Sequence, residues 1–211
     1  MNVTLLGAGS MARGIATRLI AGGTDVQILG SDAAKAAQLA DELNSPVGHA
    51  SSGAIGDPIT ADIVILALPY PAVSETLERY DGQLGDKIIV DITNPLNDSF
   101  DGLVTPADSS AAEEIEKLLP VGTTIVKAFN TTFAPTLVAG EVTGQPLDVF
   151  IAGNDPAAKS RLTTLVEAGG MRAIDAGALH RSHQLEAIAL LHISLQQTRG
   201  TQFRTAVKIV G

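Results

Sequence analysis

The chain has no cysteine and no tryptophan, and aromatic residues make up only 3% of its 211 positions. The first absence removes disulfides, thiol nucleophiles and cysteine-ligated zinc or iron–sulfur centres together. The second means that Ala, Val, Ile and Leu must fill the core through close backbone packing. Basic residues are also few, 14 against 23 acidic ones for a net charge of −9. No basic cluster offers the face that a nucleic-acid binder needs. Long apolar runs are missing as well. The longest, "LEAIALLHISL", is far short of the roughly 20 residues of a membrane span and contains a histidine. The N-terminus enters a strand with no basic and apolar leader, so the expected location is the cytoplasm. An acidic protein that holds a phosphorylated ligand must then use local donors: backbone N–H groups, a helix end, one or two cations.

What is present is regular alternation. Short runs rich in Val and Ile read as strands at 3–6, 25–29, 62–68, 87–92, 123–129, 147–153 and 171–176. They are nearly continuous rather than alternating, as strands buried on both faces should be. Helical patterns fall between them at 10–21, 32–43, 71–80, 109–118 and 155–168. Asp155 and Pro156 form an N-cap and first helical position, while "AGG" at 21–23 and 168–170 supplies stops. A final helix over about 181–198 places Leu185, Ile188, Ala189, His192, Ile193 and Gln196 on one packing face, toward the sheet or a second subunit. The long irregular stretch 93–109 is the kind of loop that carries function. The pattern predicts a single α/β domain over 1–211: a Rossmann-type, doubly wound, mostly parallel sheet with a C-terminal helical segment at about 180–211.

The most informative stretch is "GAGSMA", Gly7 to Ala12, which follows the first strand and opens the first helix. It is a G-x-G-x-x-A form of the dinucleotide fingerprint. Gly7 permits the tight turn, Gly9 lets a pyrophosphate approach the backbone, and Ala12 stays small where helix meets strand. The amides of Ser10 and Met11 would face the phosphates at the positive helix end. At the end of the second strand, "LGSDAAK" puts Gly30 where an NAD-binding acid would stand. Ser31 and Lys35 can serve a 2′-phosphate. Asp32 is either a nearby opposing charge or the N-cap of the next helix. The balance favours NADP over NAD.

Further motifs are more specific: "ALPY", "DITNPL", "VKAFNTTFAP" (126–135), "VFIAGNDPAAK" and "DAGALHRSHQLE" (175–186). With "LLGAGSMARG" they run nearly the length of the chain, which resembles the deazaflavin-dependent NADP oxidoreductases and the reductase domains of STEAP metalloreductases. The resemblance implies hydride transfer between NADP(H) and coenzyme F420 or a flavin-like acceptor. It also implies that Ala8, Gly9, Ser10 and Met11 hold the pyrophosphate, and that Ser31, Asp32 and Lys35 surround the 2′ position. Leu68, Pro69, Tyr70 and Val73 would line the cleft, Asn94, Pro95 and Leu96 would lie beside the nicotinamide ribose, and Ala128, Phe129 and Asn130 would face the nicotinamide.

Such chemistry needs two stacked rings and excluded water, not a catalytic triad, so no catalytic acid, base or metal ligand is named. Tyr70 and His180 would be the first suspects if the acceptor were a carbonyl or imine. His180 and His183 lack a third ligand at metal spacing, and Asp175 with His180 lacks a G-x-S-x-G elbow. Arg172, Arg181, Arg199, Arg204 and Lys208 form a solvated face or a clamp for a deazaflavin tail. The alternatives are reduction of a small imine or ketone, and a non-catalytic NADP-binding sensor. The terminal helix suggests a homodimer.

Overall fold

The computed structural model describes residues 2–210, the side chain of Gln197 apart. The first half of the chain is β1 (Asn2–Leu6), α1 (Ser10–Ala21), β2 (Asp25–Gly30), α2 (Ala33–Leu43) and β3 (Ala50–Ala54). The second half repeats the scheme with β4 (Ile63–Leu66), α3 (Val73–Glu78), β5 (Ile88–Asp91), α4 (Ala111–Glu116) and β6 (Thr124–Lys127). There follow α5 (Ala134–Ala139), a small hairpin of β7 (Glu141–Val142) and β8 (Gln145–Pro146), then β9 (Asp148–Gly153), α6 (Pro156–Ala168), β10 (Arg172–Gly177) and α7 (Ser182–Arg199).

Eight strands form one sheet in the order β10-β9-β6-β5-β4-β1-β2-β3. Every neighbouring pair is parallel except β6 and β9. The chain order reverses between β1 and β4, so the switch point of the doubly wound sheet lies there. Strands β1, β4 and β5 are buried on both faces, because helices cover both. Ile15, Leu19, Leu39, Leu162 and Leu165 pack on one side. Val73, Leu77, Tyr80 and Ile115 pack on the other. A third cluster, Phe150, Ala152 and Leu185 with Val207 against it, closes the far end of the sheet.

Several elements depart from the sequence reading. β3 and α5 were not expected. "ASSGA" carries no apolar run, since an edge strand need bury little, and α5 is a six-residue helix beginning Ala134-Pro135. The C-terminal segment is helical only to Arg199; Gly200, at φ +61°, ends the helix, and residues 201–210 run back across the molecule without helix. The inward face of α7 is also rotated from the one expected. Ser182, Leu185, Glu186, Ala189, His192 and Gln196 are buried, whereas Ile188 is exposed. The expected helix at 71–80 begins instead with a 3-10 turn over Tyr70–Ala72.

Candidate active site

The turn after β1 sits at the switch point. Gly7 has φ +119°, and a Cβ on it would stand 2.2 Å from the carbonyl oxygen of Ala67, at the end of β4. Its glycine is therefore required by the fold itself. Gly9 is different: φ is −85°, an ordinary value, and a Cβ there would meet nothing within 4 Å. Gly9 leaves open space directly before α1. No side chain caps the first turn of α1, so the free N–H groups of Ser10 and Met11 and the positive helix end face that space. Ala8 is half-buried, and Ala12 is packed in the core.

On the β2 side, a Cβ on Gly30 would come within 3.2 Å of the methyls of Ala8 and Ala36. An acid at this position would not fit without a shift. Asp32 turns back on the chain, its Oδ1 accepting from the N–H groups of Ala34 (3.0 Å) and Lys35 (3.2 Å). It is thus the N-cap of α2. Ser31 and Lys35 are exposed beside it.

The other side of the cleft is formed by the ends of β4, β5 and β6. Leu68 and Tyr70 are half-buried and Pro69 is exposed. Val73, Ala128 and Phe129 lie in the core beneath the cleft, with Phe129 held at φ +60°. Asn94 and Asn130 clasp each other: Asn94 Nδ2 donates to the backbone oxygen of Asn130 at 2.9 Å, and Asn130 Nδ2 donates to Asn94 Oδ1 at 3.0 Å. The clasp fixes the loop of Pro95 and Leu96 against the end of β6. It leaves Asn130 Oδ1 buried without a hydrogen-bond partner among the described residues, and Thr93 Oγ1 likewise. Buried polar atoms without a partner cost free energy.

Beneath this clasp is a charge cluster that the sequence reading missed. Lys127 is fully buried. Its ammonium donates to Asp91 Oδ2 (2.8 Å), Glu186 Oε1 (2.7 Å) and the Thr93 carbonyl (2.6 Å). Asp91 Oδ1 accepts from the N–H of Thr93 and Glu186 Oε2 from that of Ala111. Burial pushes the Glu186 carboxyl up, with Lys127 pulling against it. One signal was available: Asp91 and Lys127 end adjacent apolar runs and stand opposite each other in the β5–β6 register. Burial, followed by repulsion from Glu114, Glu186 and Asp91, also raises the Tyr70 phenol, which stays protonated at neutral pH.

Beside the start of α1 opens an apolar cavity of about 490 Å³, lined among others by Ser10, Met11, Phe133, Pro135 and Phe203. The tail brings Phe203 there, edge-on to Phe133 with ring centroids 5.1 Å apart. His192 lies against the Phe133 ring at 4.3 Å and bonds to Thr205 Oγ1 at 2.8 Å through Nε2. Burial holds its pKa below the usual value, so this wall is uncharged at neutral pH. The late basic residues do not gather at the cavity. Arg172 and Lys208 both engage Asp148, and Asp175 pairs with Lys159 rather than with His180. Among the described residues no group of three or more His, Cys, Asp or Glu could hold a metal ion.

A mostly parallel, doubly wound sheet with an open glycine turn at its switch point defines a dinucleotide-binding protein of Rossmann type. The family described as "NADP oxidoreductase coenzyme F420-dependent" matches residues 2–95. The F420-dependent NADP reductase of Methanocaldococcus jannaschii is 35% identical over 153 residues, 68% of this chain and 67% of that one. Its counterpart from Methanothermobacter thermautotrophicus is 31% identical, over 90% of this chain and 86% of its own length. A solved structure from Arthrobacter sp. FB24, provisionally assigned as an F420-dependent NADP reductase, superposes with a TM-score of 0.83 at 29% identity and 99% coverage of both chains. The chain belongs to the F420-dependent NADP oxidoreductase family.

Proposed function

We propose that this protein is an NADP-dependent oxidoreductase that carries hydride between NADP(H) and a deazaflavin of the F420 type. The observation that carries the reading is the uncapped start of α1 behind the open space at Gly9, in a chain whose full-length relatives are F420-dependent NADP reductases. When bound, the nicotinamide supplies the hydride at its C4 and the deazaflavin ring takes it up. The protein holds the two rings together and keeps water out.

Gly7, Ala8, Gly9, Ser10, Met11 and Ala12 form the pyrophosphate cradle in this reading. Ser31 and Lys35 receive the 2′-phosphate, while Asp32 organises the start of α2 beneath them. Leu68, Pro69, Tyr70 and Val73 border the cleft. Asn94, Pro95, Leu96, Ala128, Phe129 and Asn130 hold the nicotinamide side. The apolar cavity by Met11, Phe133 and Phe203 has the volume expected of a small-molecule site and takes the acceptor ring. Hydride transfer between the two rings needs no protein acid or base.

The chain acts as a homodimer in the cytoplasm. Ile188, Leu191 and Leu195 form an exposed stripe on the outer face of α7, 37, 61 and 40% accessible, and their i, i+3, i+7 spacing suits a second copy. The activity is tested by following NADPH oxidation with F420, FMN, FAD and small cyclic imines as acceptors. Turnover with F420 alone is expected; turnover confined to an imine would move the assignment to an imine reductase, and tight binding without turnover to a sensor.

A further inference from the structure

We infer that Lys127, together with Asp91 and Glu186, is a positioning group for the nicotinamide half of the dinucleotide. The inference rests on the NADP reading above and assigns a task to residues that touch no part of the cleft surface. The Lys127 ammonium has three N–H donors, and all three find oxygen acceptors. Those acceptors belong to the end of β5, the loop after it and α7. Through Glu186 the cluster also reaches the first residue of α4. One ammonium therefore ties together the segments that carry the nicotinamide side of the cleft.

Its position in the chain matters as much as its bonds. Lys127 directly precedes Ala128-Phe129-Asn130, and Asp91 lies three residues before Asn94. The cluster fixes the spacing of the two loops from below, and the Asn94–Asn130 clasp fixes it from above. Thr93, whose carbonyl joins the cluster, and Asn130, which joins the clasp, also carry the partnerless Oγ1 and Oδ1. A buried lysine with two carboxylates is a poor way to gain stability, since apolar packing of the same volume usually does as well. A fully bonded ammonium does set the directions and distances between the segments it joins. Among the described residues nothing of the kind lies under the β2 side, where Ser31 and Lys35 are exposed.

Calorimetric titration of the purified protein with NADPH and with 2′,5′-ADP, which lacks the nicotinamide half, tests the inference. In Glu186→Gln and Lys127→Met the affinity for 2′,5′-ADP should stay within about twofold of wild type. The NADPH affinity should fall by about tenfold or more. Equal losses for both ligands would show a merely structural cluster and overturn the inference, as would unchanged affinity for both. Wild-type protein that binds neither ligand would overturn the NADP reading and this inference with it. Should Lys127→Met fail to fold, Glu186→Gln, which keeps the ammonium and Asp91, decides alone.

Discussion

On the β2 side of the switch point the cleft is made of backbone: a glycine with nothing beside it, helix N–H groups without a cap, and a carboxylate that folds back onto its own helix. On the β5–β6 side it rests on side chains drawn from distant segments, two asparagines over a buried lysine and two acids. The first arrangement suits a flexible diphosphate, which needs donors and room but tolerates small displacements. The second suits a flat ring that must meet another ring at one distance. The contrast teaches where rigidity is concentrated: on the side proposed to hold the nicotinamide.

The largest expected effect comes from breaking the rigid side. Lys127→Met leaves two buried carboxylates facing each other, which costs about 3–5 kcal/mol of stability, read from urea unfolding. A loss below about 1 kcal/mol would mean that the cluster is already relaxed and does not hold the loops.

The next effect concerns Asp148, which anchors the tail that carries Phe203 to the cavity. Burial would push this carboxyl up, but Arg172, the N–H of Ile209 and Lys208 together hold it down to about 2. A depressed acid contributes stability that is fully present above its ordinary value of 3.8 and is lost as pH falls through about 2. The contribution is about 2 kcal/mol. Unfolding midpoints should therefore drop steeply between those pH values in the wild type. In Asp148→Asn the neutral-pH midpoint should already be lower and the acid limb flatter. Parallel acid limbs would show that the tail is not held by this carboxylate.

The two glycines of the turn divide structure from binding. Gly7→Ala forces a Cβ onto the Ala67 carbonyl at a positive φ and should cost about 1–3 kcal/mol. Gly9→Ala enters open space at an ordinary φ, so stability should change by less than about 0.5 kcal/mol while NADPH affinity falls. Retained affinity in Gly9→Ala would move the diphosphate away from this turn.

The same contrast explains what could be read from the sequence. Gly7 and Gly9 were legible because a turn between a strand and a helix is a local event, spelled by neighbouring residues. The buried strands were legible because continuous Val and Ile runs mark them, and the Asp155-Pro156 start of α6 because a cap is local too. The Lys127 cluster was not. Its partners lie 36 and 59 residues away, and a charged residue at the end of an apolar run reads as a solvated strand end. β3 escaped because its pairing with β2, not its own hydrophobicity, makes it a strand. The reversed direction of β9 leaves no trace in periodicity, which is the same for a strand run either way.

The smallest effect sharpens the backbone-built side, where Asp32 carries both a charge and a cap. The geometry gives it a cap's hydrogen bonds at 3.0 and 3.2 Å, yet its negative charge stays close to Ser31 and Lys35. Asp32→Asn separates the two, because asparagine caps a helix about as well as aspartate. Stability should then hold to within a few tenths of a kcal/mol, and NADPH binding should tighten by up to about 1 kcal/mol at low salt. NADH binding should not change. The gain should shrink as ionic strength rises, since the charge is exposed and screened. Equal tightening of both coenzymes would place the 2′-phosphate elsewhere, and weaker binding of both would mean that the carboxylate itself contacts a ribose hydroxyl.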